Sequence, residues 1–214
     1  MSLAAIAEAL RPHRLGVFGA LHPERGEGLP PATQTLILIG PLEPDFWDHV
    51  TAQPEWLDGQ PNPLDRWSRR VIGRLACSLG GKALFPFGGP PWHPFIAWAK
   101  ASGRAFTSPV ELLVHDYAGM MVSYRGALAL KERLELPPTG PSPCLSCEDK
   151  PCLSACPVNA LTDGHYDVPA CRSYLDQGAE CLHKGCLARR ACPISQGYGR
   201  LEVQSAYHMR QFHS

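Results

Sequence analysis

Eight of the nine cysteines of this 214-residue chain lie between Cys144 and Cys192. The first four follow the pattern C-x2-C-x4-C-x3-C-P, which ends at Pro157. Thiolates bind zinc and iron–sulfur clusters, and clustered cysteines in a reducing compartment are more often metal ligands than disulfides. The spacing therefore predicts a metal-binding region with eight ligands. They are Cys144, Cys147, Cys152, Cys156, Cys171, Cys181, Cys186 and Cys192.

Two kinds of metal site compete for these thiolates. Eight cysteines suffice for two [4Fe–4S] clusters, and equally for two zinc ions with four cysteines each. The first run is the ferredoxin pattern C-x2-C-x2-C-x3-C-P with two residues inserted. Zinc ribbons use two separated C-x2-C pairs, and only one pair here has that spacing. These features favour the clusters over zinc, and a disulfide scaffold is the third interpretation.

The ferredoxin pattern also predicts how the ligands divide. In two-cluster ferredoxins the last cysteine of each run ligates the other cluster. This rule gives a first cysteine set of Cys144, Cys147, Cys152 and Cys192. It gives a second cysteine set of Cys156, Cys171, Cys181 and Cys186. The ninth cysteine, Cys77, lies in a predicted helix, and we expect it to be a buried structural residue.

Composition limits the partners. The chain has 20 Lys plus Arg and 20 Asp plus Glu, so no net field attracts nucleic acid or an anionic membrane. No apolar run reaches the roughly 18 residues that a transmembrane helix needs. The N-terminal residues have no basic n-region, and Glu8 interrupts their apolar stretch, so they predict a short amphipathic helix and not a signal peptide. We therefore expect a cytoplasmic protein with no nucleic-acid or membrane partner.

The elements that must position the cysteines are those of an α+β protein. Thr33 to Ile39 is a compact run rich in β-branched residues, which predicts a central strand. Asn62-Pro63 is a good start for a helix that reaches Leu79 with one buried face. Further strands are predicted over 14–21, 82–87, 109–115 and 121–130, and further helices over 2–10, 45–52, 94–102, 168–175 and 201–212. Proline-rich 136–143 predicts a domain boundary.

The cysteine region carries a family resemblance. Cys144 to Pro193, with the isolated segment Cys171-Arg-Ser-Tyr-Leu175, resembles the iron–sulfur module of epoxyqueuosine reductases. Corrinoid-dependent reductive dehalogenases are related in plan. This resemblance implies a small ferredoxin-like two-cluster module over 137–214, together with the C-terminal helix.

The N-terminal part resembles the cobalamin-processing decyanase proteins of the same superfamily. The residues that carry this likeness are Asn62-Pro-Leu-Asp-Arg66, His115-Asp-Tyr-Ala-Gly119, Ser123-Tyr-Arg-Gly-Ala-Leu128 and Leu136-Pro-Pro138. The likeness implies a nitroreductase-like (flavin-reductase-like) domain over 1–136, with a mixed sheet and flanking helices. It also implies that His115, Tyr117 and Gly119 lie near a corrinoid. Arg125 would face the same cavity.

The resemblance implies an iron–sulfur redox protein that passes electrons through two [4Fe–4S] clusters to a cofactor or substrate in the N-terminal domain. A corrinoid such as cobalamin is the expected acceptor, and a flavodoxin or ferredoxin the expected electron donor. If the chain is an enzyme, it is an oxidoreductase. The alternatives are a ferredoxin-type electron carrier and a cobalamin-handling chaperone with no substrate chemistry of its own.

Two features depart from the epoxyqueuosine reductases. Those enzymes carry an acidic proton donor in the loop after the central strand, whereas Pro86 to Pro91 contains no carboxylate. The balanced charge also provides no basic surface for a tRNA substrate. Both facts count against the reaction of the epoxyqueuosine reductases.

Two other groups of residues allow a functional and a structural interpretation. His115 could serve a cofactor, or could be held by backbone hydrogen bonds, and Asp116 beside it could act as a general acid if burial raised its pKa. Trp92, Phe95 and Trp98 could wall a pocket for a flat ring or form core packing.

Overall fold

The computed structural model describes residues 1–24, 28–162 and 164–213, which fold as two compact units. The first unit comprises Met1–Arg104 and Ser123–Thr139. The second unit comprises Ala105–Val122 and Gly140–Ser214, so it includes a segment from the middle of the chain. The family-like domains over 1–136 and 137–214 stay a prediction.

Strands and helices are numbered in chain order. The strands are β1 (Leu15–Leu21), β2 (Thr35–Pro41), β3 (Lys82–Leu84), β4 (Ala105–Thr107), β5 (Leu113–His115), β6 (Gly126–Leu130), β7 (Leu161–Thr162) and β8 (His165–Tyr166). The α-helices are α1 (Leu3–Leu10), α2 (Phe46–Thr51), α3 (Pro54–Leu57), α4 (Pro63–Ser78), α5 (Phe95–Ala101), α6 (Val168–Leu175), α7 (Glu180–Lys184), α8 (Leu187–Ala191), α9 (Pro193–Tyr198) and α10 (Glu202–His213). Short 3-10 helices cover Arg11–His13, Pro143–Leu145 and Pro151–Leu153.

The first unit contains a four-stranded sheet in the order β1-β2-β6-β3. All seven residues of β2 are buried, as the prediction of a central strand requires. Both β2 and β3 pair antiparallel with β6, so they run in the same direction on either side of it. The helix-containing connection between β2 and β3 therefore forms a split β-α-β arrangement.

The predicted α+β class is confirmed, but the predicted mixed sheet is wrong for the described strands. Every hydrogen-bonded pair among them is antiparallel. The physical reason is that β6 inserts between the two strands that would otherwise make a parallel pair. The nitroreductase-like and ferredoxin-like folds stay predictions.

The long helix α4 confirms the predicted helix after Asn62, with Leu64, Trp67 and Ile72 on its buried face. Ile72 and Ala76 continue that face at a spacing of four, which leaves the next position outside the stripe. Cys77 is accordingly exposed, and the prediction that it is buried is wrong.

The second unit begins with the β4–β5 hairpin, in which Ser108 N–H donates to Leu112 O at 2.9 Å. The strand predicted over 109–115 is therefore only the second arm of a hairpin. Helix α6 has the predicted bounds, since Asp167 caps it and Pro169 lies in its first turn. Among the described residues, no helix has both the length and the apolar character needed to cross a bilayer.

The core of the second unit mixes hairpin residues with cysteines. Val110, Val114 and Met120 are buried in one cluster with Cys152 and Cys192. This cluster supports cysteines of both sets, because Cys156 and Cys186 also pack against it.

Candidate metal centre

Short proline-initiated turns position the first cysteine set. Cys144 lies in the 3-10 helix that starts at Pro143, and Cys152 in the one that starts at Pro151. Proline fixes φ at about −65° and is therefore preorganised for the first position of a helix. Ser142 Oγ accepts a hydrogen bond from Cys144 N–H at 3.3 Å. Cys192 comes from the distant start of α9.

All four cysteines of the first set line one cavity of about 450 Å³. Val114, Met120 and Ile194 give it an apolar wall, and Glu148, Asp149 and Lys150 give it a charged one. The fold thus brings Cys192 to the three cysteines of the first run, which is the grouping that the ferredoxin pattern predicts. That the four thiols bind a metal stays a prediction.

Burial and mutual proximity make thiolates in the first set unfavourable. Desolvation raises the pKa of Cys144, and the neighbouring Cys192 and Cys147 raise it further. Desolvation also raises the pKa of Cys152, and Cys144 adds to this effect. Lys150 acts in the opposite direction on Cys144. A bound cation would offset the repulsion between neighbouring thiolates, because it favours deprotonated ligands.

The second cysteine set is carried mainly by helices. Cys171 lies inside α6, Cys181 inside α7 and Cys186 at the N-cap of α8. Desolvation raises the pKa of Cys181, with further increases from Cys186, Cys171 and Cys156. The pKa of Cys171 is raised by burial and by Cys186 and Cys156. Cys171 and Cys181 therefore both lie close enough to Cys156 and Cys186 for those thiols to raise their pKa.

Tyr166 adds a hydroxyl to the second set, and the sequence reasoning missed it. Its O–H donates to Cys171 Sγ at 3.8 Å. Burial, then Cys171 and Cys186, raises the pKa of Tyr166 well above its ordinary value, so the hydroxyl keeps its proton. No spacing rule predicts this contact, because it depends on how the β7–β8 hairpin approaches α6.

Ser108 is the corresponding hydroxyl at the first set, and it too was missed. Ser108 lines the cavity and is 3% exposed. Its Oγ has no hydrogen-bond partner within the described part of the chain. A buried hydroxyl beside four thiols is available to a sulfur acceptor.

His115, Tyr117 and Gly119 come together in one tight turn of the second unit. His115 is fully buried, and its Nδ1 accepts hydrogen bonds from the N–H groups of Tyr117 at 3.1 Å and Ala118 at 3.3 Å. Gly119 has a φ of +56°, and a Cβ there would clash with the Ser195 backbone nitrogen. The ring of His115 therefore organises its own loop, as the backbone-held interpretation predicts.

Asp116 also lies close to that ring nitrogen, with Oδ1 3.1 Å from His115 Nδ1. An ion pair would require a proton on Nδ1, yet this nitrogen accepts two backbone N–H groups. This nitrogen therefore acts as a hydrogen-bond acceptor within its own loop.

Arg125 belongs to the first unit and is engaged there. Its Nη2 donates to Asp65 Oδ1 at 2.6 Å, and its Nε donates to Ser68 Oγ at 3.1 Å. The guanidinium also lies over the Phe87 ring, 5.5 Å from the centroid. Arg125 is therefore held within the first unit by an ion pair to Asp65 and a cation–π contact to Phe87.

The aromatic residues near the Gly-Gly-Pro-Pro turn divide between the two interpretations. Phe95 and Trp98 are buried, with ring centroids 5.1 Å apart, so they form core packing. Trp92 is 63% exposed and does not belong to that core.

Within residues 1–24, 28–162 and 164–213, no three His, Cys, Asp or Glu side chains converge closely enough to bind a single metal ion. A four-iron cluster is wider than a single ion, so its ligands stand further apart.

Comparison with known proteins gives one informative similarity. No protein-family model matches the chain. The chain is 31% identical over 148 residues to the methylamine utilization ferredoxin-type protein MauM of Methylorubrum extorquens. The match covers 61% of this chain and 59% of that protein, so it spans less than two thirds of the relative. The relative supports the ferredoxin-like part of the resemblance, and the epoxyqueuosine reductase and decyanase superfamily stays a prediction.

Proposed function

We propose that this chain is a ferredoxin-type electron carrier that binds two [4Fe–4S] clusters, one on each cysteine set. The observation that carries the proposal is the cavity lined by Cys144, Cys147, Cys152 and Cys192. The last of these is remote from the others in sequence, so their meeting at one cavity needs the tertiary fold. The ferredoxin-type relative supports the same conclusion.

The residues of the first cavity fit such a cluster. Iron–sulfur clusters are held by thiolates, and four thiols line this cavity. Val114, Met120 and Ile194 would exclude water from one side, and solvent access is one determinant of the reduction potential. Lys150 favours the thiolate of Cys144. When bound, a cluster of this type supplies one-electron transfer.

Elemental analysis separates this proposal from the zinc interpretation. The protein is purified without oxygen, and iron, acid-labile sulfide and zinc are counted per chain. We expect about eight irons and eight sulfides, since each cluster contains four of both. We also expect visible absorption that dithionite bleaches. A colourless protein that contains zinc and no sulfide would overturn the proposal.

The partners and location are part of the proposal. A flavodoxin or another ferredoxin would supply the electrons, and the cytoplasm would keep the thiols reduced before the clusters are inserted. Mixing the oxidised protein with a reduced flavodoxin, without oxygen, tests the proposed electron donor. Bleaching of the visible absorption is the expected result, and unchanged absorption contradicts this donor.

A corrinoid acceptor, held by a nitroreductase-like domain against a ferredoxin-like module, is a finer form of the same proposal. The resemblance at His115 to Gly119 supports it. The local contacts favour the plain carrier, because His115 Nδ1 bonds within its own loop and Arg125 pairs with Asp65. The test is to add cobalamin to the dithionite-reduced protein after excess dithionite is removed. Cobalt reduction supports the corrinoid form, and an unchanged cobalamin spectrum leaves the carrier.

A further inference from the structure

The phenol of Tyr166 is held in place from two sides. Tyr166 lies in β8, which pairs with β7 through the Leu161–Tyr166 register. Its ring stacks on Phe212 of α10, with centroids 6.4 Å apart and an interplanar angle of 19°. The hydroxyl therefore points in a direction that packing fixes.

The acceptor is equally well placed. Cys171 lies in the first turns of α6, where Asp167 Oδ1 accepts from Ala170 N–H at 2.9 Å. The Tyr166 O–H donates to Cys171 Sγ at 3.8 Å, which is within hydrogen-bonding distance of a sulfur acceptor. Packing against Phe212 and the capping of α6 thus order both the donor and the acceptor.

We propose that Tyr166 sets the reduction potential of the second cluster by donating a hydrogen bond to the ligand sulfur of Cys171. This inference rests on the proposed function. Reduction adds one electron, and part of the added negative charge falls on the thiolate sulfurs. A donor to such a sulfur stabilises the reduced form more than the oxidised form, and hydrogen bonds to sulfur are a known determinant of these potentials. Tyr166 therefore raises the potential.

The substitution Tyr166→Phe tests this role, because it removes the hydroxyl and keeps the ring that stacks on Phe212. The matched control is Tyr174→Phe, which removes a hydroxyl from α6. Tyr174 packs against the same core as Cys171, and among the described residues its hydroxyl has no hydrogen bond to a cysteine. A purely structural role of the Tyr166 ring would leave Tyr166→Phe indistinguishable from this control.

The measurement is a potentiometric titration with dithionite, followed by electron paramagnetic resonance. The transition that disappears in a Cys181→Ala variant identifies the second cluster. We expect Tyr166→Phe to lower the reduced-to-oxidised ratio of that cluster roughly tenfold at a fixed potential, which is about 59 mV for one electron. The other transition and both transitions of Tyr174→Phe should stay at the wild-type values.

The outcomes separate this inference from the proposed function. Wild-type protein without iron and sulfide overturns the proposed function. Wild-type iron content with no downward shift in Tyr166→Phe overturns the role of Tyr166 alone. If Tyr166→Phe loses its second cluster, replacing Tyr166 with 3-fluorotyrosine tests the inference instead. This residue keeps the hydroxyl and makes it a stronger hydrogen-bond donor. The second potential should then rise, and an unchanged or lower value contradicts the inference.

Discussion

The two cysteine sets are built from different kinds of backbone. In the first set, Cys144 and Cys152 lie in one-turn 3-10 helices that begin at prolines. In the second set, Cys171 and Cys181 lie within α-helices, and Cys186 begins another. Local prolines therefore define most of the first set, whereas the second set depends on how helices pack. The second set should accordingly be the more sensitive to substitutions in the surrounding core.

The hydroxyls beside the two sets also differ. Tyr166 already bonds to a cysteine sulfur, whereas Ser108 Oγ has no partner in the described ranges. The second set thus has a donor that is ordered in the protein itself. The hydroxyl of the first set, on Ser108, lines the cavity and could donate to a sulfur bound there.

The largest expected effect comes from removing ligands one at a time. We expect Cys144→Ala and Cys192→Ala to abolish the same redox transition and about half of the iron, because both line one cavity. Cys156→Ala and Cys181→Ala should abolish the other transition. The measurement is iron content together with the potentiometric titration.

Cys77→Ala is the control for these variants, since Cys77 is exposed and outside both sets. Its iron content should match wild type. If Cys144→Ala and Cys156→Ala instead removed the same transition, each run would serve its own cluster. The division into two sets would then be wrong.

The next largest effect should fall on the second set alone. Phe212 packs against the core that contains Cys181, and its ring stacks on Tyr166. Because Phe212 is partly exposed, we expect Phe212→Ala to cost on the order of 2 kcal/mol, less than a fully buried phenylalanine. The second cluster should be lost first on warming, as followed by paramagnetic resonance.

Val203→Ala on the same helix is the control, because Val203 is 52% exposed and should change stability by less than about 0.5 kcal/mol. Simultaneous loss of both clusters in Phe212→Ala would contradict the greater packing dependence of the second set.

Several elements could be predicted because their signals are local. Asp167 caps the start of α6. Pro63 occupies the first position of α4, whereas the side chain of Asn62 before it makes no capping hydrogen bond. The place of β6 between β2 and β3 could not be predicted, since it depends on pairing between distant segments. The exposure of Cys77 was missed because the general tendency of free cysteines to be buried was applied to a position outside the apolar stripe of α4.

The candidate site could also be predicted only in part from the sequence. The spacing of Cys144, Cys147 and Cys152 grouped them directly, and the ferredoxin rule added Cys192. The two hydroxyls carry no such signal. Ser108 lies in the turn of the β4–β5 hairpin and Tyr166 in strand β8, so only the folded unit brings their hydroxyls near the cysteines.

Ser108→Ala tests whether the first set also has a hydroxyl donor. In the metal-free protein we expect no loss of unfolding free energy beyond about 0.5 kcal/mol, because the substitution removes a buried hydroxyl that has no partner among the described residues. In the loaded protein, the transition that is lost in Cys192→Ala should move to a lower potential. Denaturant unfolding and potentiometric titration check the two parts.

Ser146→Ala is the matched control for that experiment. Ser146 lines the same cavity, but its Oγ already donates to Pro143 O at 3.2 Å. In Ser146→Ala, the transition that is lost in Cys192→Ala should stay at the wild-type potential. An equal shift in both variants would indicate a general change in cavity polarity and would contradict a specific role of Ser108.

The smallest expected effect concerns the ion pairs that join the helices of the second set. Arg190 of α8 donates to Glu180 of α7 at 3.2 Å and to Glu202 of α10 at 2.8 Å. These side chains are 30% to 56% exposed, so we expect Arg190→Met to cost less than about 1 kcal/mol. The loss, measured by urea unfolding, should shrink at about 1 M salt, where the Debye length is about 3 Å. A double-mutant cycle with Glu202→Gln isolates the energy of the Arg190–Glu202 pair.

A stability loss that persists at high salt would mean that the aliphatic stem of Arg190 supports the helices by packing. The second set would then depend on apolar contacts even at its surface.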